Sequence, residues 1–96
     1  MKVVWSEAAL RHLVGIYEYI SQDSPGYAQR MVDRLTSKSK QAGSFPASGQ
    51  AVSEYQQPNI RELLEGPYRI IYRIDQGQVV VLAVIHGASL LPPEPP

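Results

Sequence analysis

From Ile60 to Gly87 the chain reads IRELLEGPYRIIYRIDQGQVVVLAVIHG, and this stretch contains the longest apolar run, Val79–Ile85. Its pattern predicts a strand over Ile60–Leu64, a turn at Glu65-Gly66-Pro67 and a cleanly alternating strand over Tyr68–Ile74. A second turn at Gln76-Gly77 then leads into an apolar strand over Val79–His86, completing an antiparallel meander. Upstream, the β-branched and aromatic Lys2–Trp5 reads as an opening strand. Ser6 follows as a helix cap with Glu7 in the first turn, where the helix dipole favours a carboxylate. Ala9, Leu13, Ile16 and Ile20 recur at helical spacing, widened by Leu10 and Tyr17, with Arg11, Gly15 and Glu18 opposite, and the helix ends near Ser21. Ser24-Pro25 starts a second helix, with proline at the first position where its missing N–H costs nothing. Ala28, Met31, Val32 and Leu35 form its buried face. Gly43–Tyr55 is rich in Gly, Ser and Pro and reads as a loop, with Phe45 expected to anchor it to the core.

Pairing the last two strands about a two-residue turn at Gln76-Gly77 sets Ile74 against Val79, Tyr72 against Val81, Ile70 against Ala83 and Tyr68 against Ile85. All eight are apolar or aromatic, as expected of the sheet face under the helices. The opposite face then carries Arg69, Ile71 and Arg73 beside Val80, Leu82, Val84 and His86. That is too apolar for a face left to water, so either the Gly43–Tyr55 loop or a partner should cover it. A two-residue turn at Glu65-Gly66 would set Glu62 across from Arg69. Arg61 then falls on either face.

Composition narrows the chemistry. The chain has 96 residues, 44% hydrophobic and 19% charged, which fits one small folded domain. With no cysteine and two distant histidines, disulfides and thiolate metal sites are excluded and a zinc site is not expected. Nine basic and nine acidic residues cancel, so any nucleic-acid role must be local to a patch. No leader or membrane-spanning run is apparent, which makes a cytoplasmic location the expectation. Phosphate-loop and nucleophile-elbow motifs are absent. His86 is the histidine placed where a reaction would use it: with Arg69 it would offer a general acid or base beside a cation, the minimum for RNA cleavage through the 2′-OH. His12 reads as surface. Arg30, Arg34 and Lys38 recur every four residues on the second helix, either as a solvated face or as a dock for an acidic partner.

The segments RELLEGPYRIIYRI at 61–74 and VVVLAVIHG at 79–87, with the opening VVWSEAALRHLVGIYEYI, resemble the ParE/RelE superfamily of bacterial toxins. The resemblance spans nearly the whole chain. It implies an α+β fold of order β-α-α-β-β-β, a small antiparallel sheet with an N-terminal helical hairpin on one face. A single domain is expected over 1–91, with a Pro-rich tail at 92–96. It also implies a type II toxin–antitoxin toxin with growth-arrest and plasmid-stabilisation roles and no cofactor, held by a ribbon-helix-helix antitoxin. Tyr17, Arg30, Arg34, Lys38, Ile71, Leu82 and Val84 are the expected antitoxin contacts. Two branches follow from the resemblance. ParE-like members poison DNA gyrase without being enzymes, with Arg61, Arg69, Arg73 and His86 as expected target contacts here. RelE-like members cleave mRNA on the ribosome, which would assign catalysis to Arg69 and His86. The nuclease lysines would fall at Ile60 and Glu62, the later arginine at Ser89 and the tyrosine at Pro95, so only Arg69 keeps the nuclease residue. A glutamate where a charged transition state needs cations favours the ParE-like branch. The end of the chain departs from that branch: Ala88-Ser89-Leu90-Leu91 and PPEPP replace an arginine and a charged tail. A non-toxic module that only docks an antitoxin is the third alternative.

Overall fold

A computed structural model describes residues 1–96 as β1 (Lys2–Trp5), α1 (Glu7–Ser21), α2 (Pro25–Ser44), a 3₁₀ turn (Pro46–Ser48), β2 (Gln50–Ala51), β3 (Ile60–Glu65), β4 (Tyr68–Asp75) and β5 (Gln78–His86). The helix starts follow from local chemistry. Ser6 Oγ accepts the N–H of Ala9 at 3.0 Å and Ser24 Oγ accepts that of Tyr27 at 3.2 Å, satisfying donors that the first helical turn leaves without a partner.

The sheet has five strands in the order β1-β5-β4-β3-β2. The meander β3-β4-β5 is antiparallel, whereas β1 joins the edge of β5 in parallel, from Lys2 beside Gln78 to Trp5 beside Val81. The sheet is therefore mixed rather than purely antiparallel. After Trp5 the chain turns into α1, and Ser6 continues the contact: its N–H donates to Val81 O at 3.0 Å and its hydroxyl to Leu82 O at 3.2 Å.

Both helices lie on one face. Ala9, Met31 and Leu35 pack with Ile70, Val81 and Val84, and Ala42 closes over Leu63, Tyr72 and Val79. Gly43 lets the start of the chain cross α2 closely, because a Cβ there would come within 2.7 Å of Met1 O and 2.6 Å of the Val3 side chain. The opposite face is also buried. Val52 and Tyr55 cover Ile60, Ile71, Val80, Leu82 and Ala83, with Leu91 packed against the same cluster. The Tyr55 hydroxyl donates to Pro92 O at 2.9 Å, tying the tail to the loop. Each fully buried aliphatic side chain contributes about 1.5–3 kcal/mol, so a face-covering loop of this kind is a second core rather than a decoration.

Three expectations are corrected. Phe45 is not an anchor: it is 67% exposed at the end of α2, and Val52 and Tyr55 fix the loop instead. The Gly43–Tyr55 segment is not all loop, since α2 runs through Ser44 and β2 pairs with β3 at Gln50–Glu62 and Ala51–Arg61. The third is a β-bulge in the last hairpin. Ile74–Val79 and Tyr72–Val81 pair as expected, but Ile71 stands opposite Ala83, leaving Leu82 as the extra residue of β5. Beyond it the register becomes Ile70–Val84, Arg69–Ile85 and Tyr68–His86. One inserted residue reverses the facing of everything that follows. Val84 and His86 therefore move to the helix side, and Ala83 and Ile85 to the outer side.

Candidate functional site

The outer face near the β3–β4 turn holds the most organised charge in the molecule. The turn places Glu65 opposite Tyr68, so Leu64, and not Glu62, stands across from Arg69. Glu62 still projects from the same face one diagonal away. Its Oε2 accepts from Arg69 Nε at 3.2 Å and also from Arg69 Nη2. From the covering loop, Glu54 offers both carboxylate oxygens, to Nη1 at 3.0 Å and Nη2 at 3.1 Å. Arg69 is thus clamped between two carboxylates with only 13% of its side chain exposed. The guanidinium holds the Glu54 carboxyl down at about 2, chiefly through this hydrogen bonding, and the two carboxylates push Arg69 further up from its already high value.

The other expected target contacts are dispersed. Arg73 donates Nε to Asp75 Oδ1 at 2.7 Å and Nη2 to Asp75 Oδ2 at 3.0 Å. Arg61 turns toward the loop, giving Nη1 to Gly49 O at 2.8 Å while its Nε is buried without a partner. His86 lies across the sheet from Arg69, edge-on to the Tyr68 ring at 5.9 Å between centroids, because of the bulge. The expected His86–Arg69 pairing is corrected on that ground. The groups beside Arg69 that could act in acid–base chemistry are the Glu54 and Glu62 carboxylates, and both are already engaged with the guanidinium.

The expected antitoxin contacts also divide. Ile71, Leu82 and Val84 are 0%, 3% and 2% exposed, the first two under the loop and the third under the helices, so they form no open surface. Arg34 is bound to Glu65, Nη2 to Oε2 at 2.7 Å, and Arg30 lies over the Tyr27 ring at 5.8 Å. Tyr17 belongs to an apolar patch on the outer side of the helices with Leu13, Val14 and Val32, extended by Leu10. Leu10 and Val14 are 49% and 56% exposed, unusually open for side chains in the middle of an amphipathic helix.

Two functional-grade contacts were not expected from the sequence: Glu54, because it sits in an irregular loop, and His12. The imidazole Nδ1 of His12 accepts the backbone N–H of Val84 at 3.2 Å, on the β5 edge that β1 no longer covers. Burial, with a smaller effect of Arg11, lowers its pKa from 6.5.

No helix is long and apolar enough to cross a membrane. Residues 3–91 match the family model for the ParE toxin of the type II toxin–antitoxin system parDE. The chain is 36% identical over 90 residues to Toxin RelE2 of Caulobacter vibrioides, covering 93% of this chain and 98% of that protein. It is 33% identical over 91 residues to Putative toxin Y4kP of Sinorhizobium fredii, covering 95% and 93%. Among solved structures, a chain of the chromosomal ParDE system from P. aeruginosa superposes with a TM-score of 0.73 at 21% identity, covering 90% of this chain and 95% of that one. A chain of the toxin–antitoxin complex RelBE2 from Mycobacterium tuberculosis gives 0.53 at 22%, covering 88% and 95%. These two share the fold. On the family match and the curated relatives, the protein belongs to the ParE/RelE family of type II toxin–antitoxin toxins.

Proposed function

We propose that this toxin acts by binding, in the ParE manner, with DNA gyrase as its target, and that it does not cut RNA. The observation that carries the reading is the clamp on Arg69. A nuclease site must leave its cations free to meet charge that develops on the phosphate, in a geometry set before the reaction begins. Here the one arginine that matches the nuclease pattern is neutralised twice, by Glu54 and Glu62. His86, the only nearby acid–base candidate on β5, is on the opposite side of the sheet. The contrary reading, a ribosome-dependent mRNA endoribonuclease, draws on the RelE name of the 36% identical relative.

An antitoxin partner follows from the family and from the solved toxin–antitoxin systems of the same fold. We place its contact on the outer surface of the helices, around Leu10, Val14 and Tyr17, with Arg30 and Lys38 drawing acidic side chains. A ribbon-helix-helix antitoxin of the ParD type is the expected occupant. The test is growth on expressing the toxin alone and together with a ribbon-helix-helix antitoxin of the ParD type: arrest relieved by co-expression supports the reading. Unimpeded growth in both cases would leave the non-toxic module as the better account.

A further inference from the structure

A concavity lies where the α1–α2 connection meets the β3–β4 turn. It encloses about 380 Å³ and is walled by Tyr19, Tyr27, Tyr68 and His86, with Met31 at its floor and Asp23 on its rim. The wall is built by the bulge in β5, since only the shifted register brings His86 to the helix side and against Tyr68, with their rings 80° apart. His86 Nδ1 accepts the Ala88 N–H at 3.2 Å, which fixes the ring. Burial raises the Tyr68 phenol above its usual value, with smaller contributions from Tyr27 and Tyr19.

The chemistry of this wall has one sign. Aromatic faces and phenol oxygens are electron-rich, and Asp23, the only acidic residue in the lining, has no ion-pair or hydrogen-bond partner among the side chains around it. No lysine or arginine lines the cavity, so an isolated phosphate finds no counter-charge there. Arg34 lies nearby but is paired with Glu65. The molecule supplies its own precedent: the Arg30 guanidinium rests over the Tyr27 ring at 5.8 Å.

We propose that this cavity is a recognition pocket for an arginine side chain presented by a partner peptide, with the guanidinium stacked on tyrosine and forked onto Asp23. A planar fork suits both contacts at once, which an ammonium does not. The pocket borders both surfaces, sharing His86 with the expected gyrase contacts and meeting Arg30 at Tyr27, but its occupancy does not rest on those readings.

The test is an NMR titration of the full-length chain with N-acetylarginine amide, following the tyrosine and His86 ring signals. Saturable, millimolar-range shifts confined to Tyr19, Tyr27, Tyr68 and His86 are expected. The isosteric but uncharged N-acetylcitrulline amide should shift nothing, and Asp23→Asn should weaken binding about fivefold, the scale of a partly exposed charge pair. Tyr19→Ala, at a position 67% exposed and so safe for folding, should weaken it as well. Equal shifts with citrulline, an unaltered affinity in Asp23→Asn, or a response to guanosine monophosphate without one to arginine would overturn the proposal.

Discussion

Glu54, at the crest of the covering loop, meets Arg69 of β4 face to face, its two carboxylate oxygens 3.0 and 3.1 Å from the two terminal guanidinium nitrogens. This contact joins the loop to the sheet and removes the free cation from the outer face. The Glu54 carboxyl is held at about 2 against an ordinary 4.5, so the folded state binds its proton more weakly than the unfolded chain does. The stability it contributes is complete above about pH 4.5 and is lost as pH falls toward the folded value. Because the Glu54 side chain is 42% exposed, the effect is small, below about 1 kcal/mol. Glu54→Gln should flatten the acid limb of stability in urea titrations, lowering stability at pH 7 by up to about 1 kcal/mol and converging with the parent chain as the pH falls toward 2.

Arg69→Ala should be far more damaging. It leaves Glu62, only 16% exposed, without its counter-charge. A loss of about 1–3 kcal/mol is expected from chemical denaturation at pH 7. Glu62→Gln in the same background should recover part of that loss, because it removes the stranded charge.

His12 introduces a second pH dependence of the same sign but in a different window. Its folded pKa is lowered below 6.5, so the unfolded chain takes up the proton first. The stability is present above about pH 6.5 and falls as the pH drops through the folded value, when Nδ1 can no longer accept the Val84 N–H. The thermal midpoint should therefore decline between pH 7 and 5.5. His12→Phe should abolish that slope while lowering stability at pH 7 by about 1–3 kcal/mol, through the unmatched N–H.

Gly49 and Tyr72 fix where the loop starts. The Tyr72 hydroxyl accepts the Gly49 N–H at 3.1 Å and donates to Pro46 O at 2.6 Å. A Cβ on Gly49 would lie 2.5 Å from that hydroxyl and 2.6 Å from Glu62 O, on groups held in place by the sheet. Gly49→Ala should cost about 1–3 kcal/mol, as overpacking of a filled site does. Tyr72→Phe should also cost about 1–3 kcal/mol, because it leaves the Gly49 N–H and Pro46 O without their partner. Urea midpoints read at pH 7 measure both losses.

Local signals placed β1, β3, β4 and β5, both helix starts and the inner face as far as Tyr72, but not the short β2, because capping residues and alternation act over a few neighbours. The bulge left no trace, since every residue from Val79 to Ile85 is apolar and a one-residue slip there exchanges one hydrophobic side chain for another. That slip is what separated His86 from Arg69 and made it a wall of the pocket beside Tyr68. The Glu54 contact was hidden for another reason. Loop residues lack a period, and the position of Glu54 depends on Val52 and Tyr55 finding the outer face. The parallel seat of β1 likewise depends on where two helices return the chain, which no local pattern encodes.

One paired assay separates binding from cutting directly. Purified toxin is added to DNA gyrase with relaxed plasmid and, separately, to programmed ribosomes with mRNA. Inhibition of supercoiling with intact mRNA is the predicted result. Ribosome-dependent cleavage that disappears in Arg69→Ala, with supercoiling untouched, would contradict it.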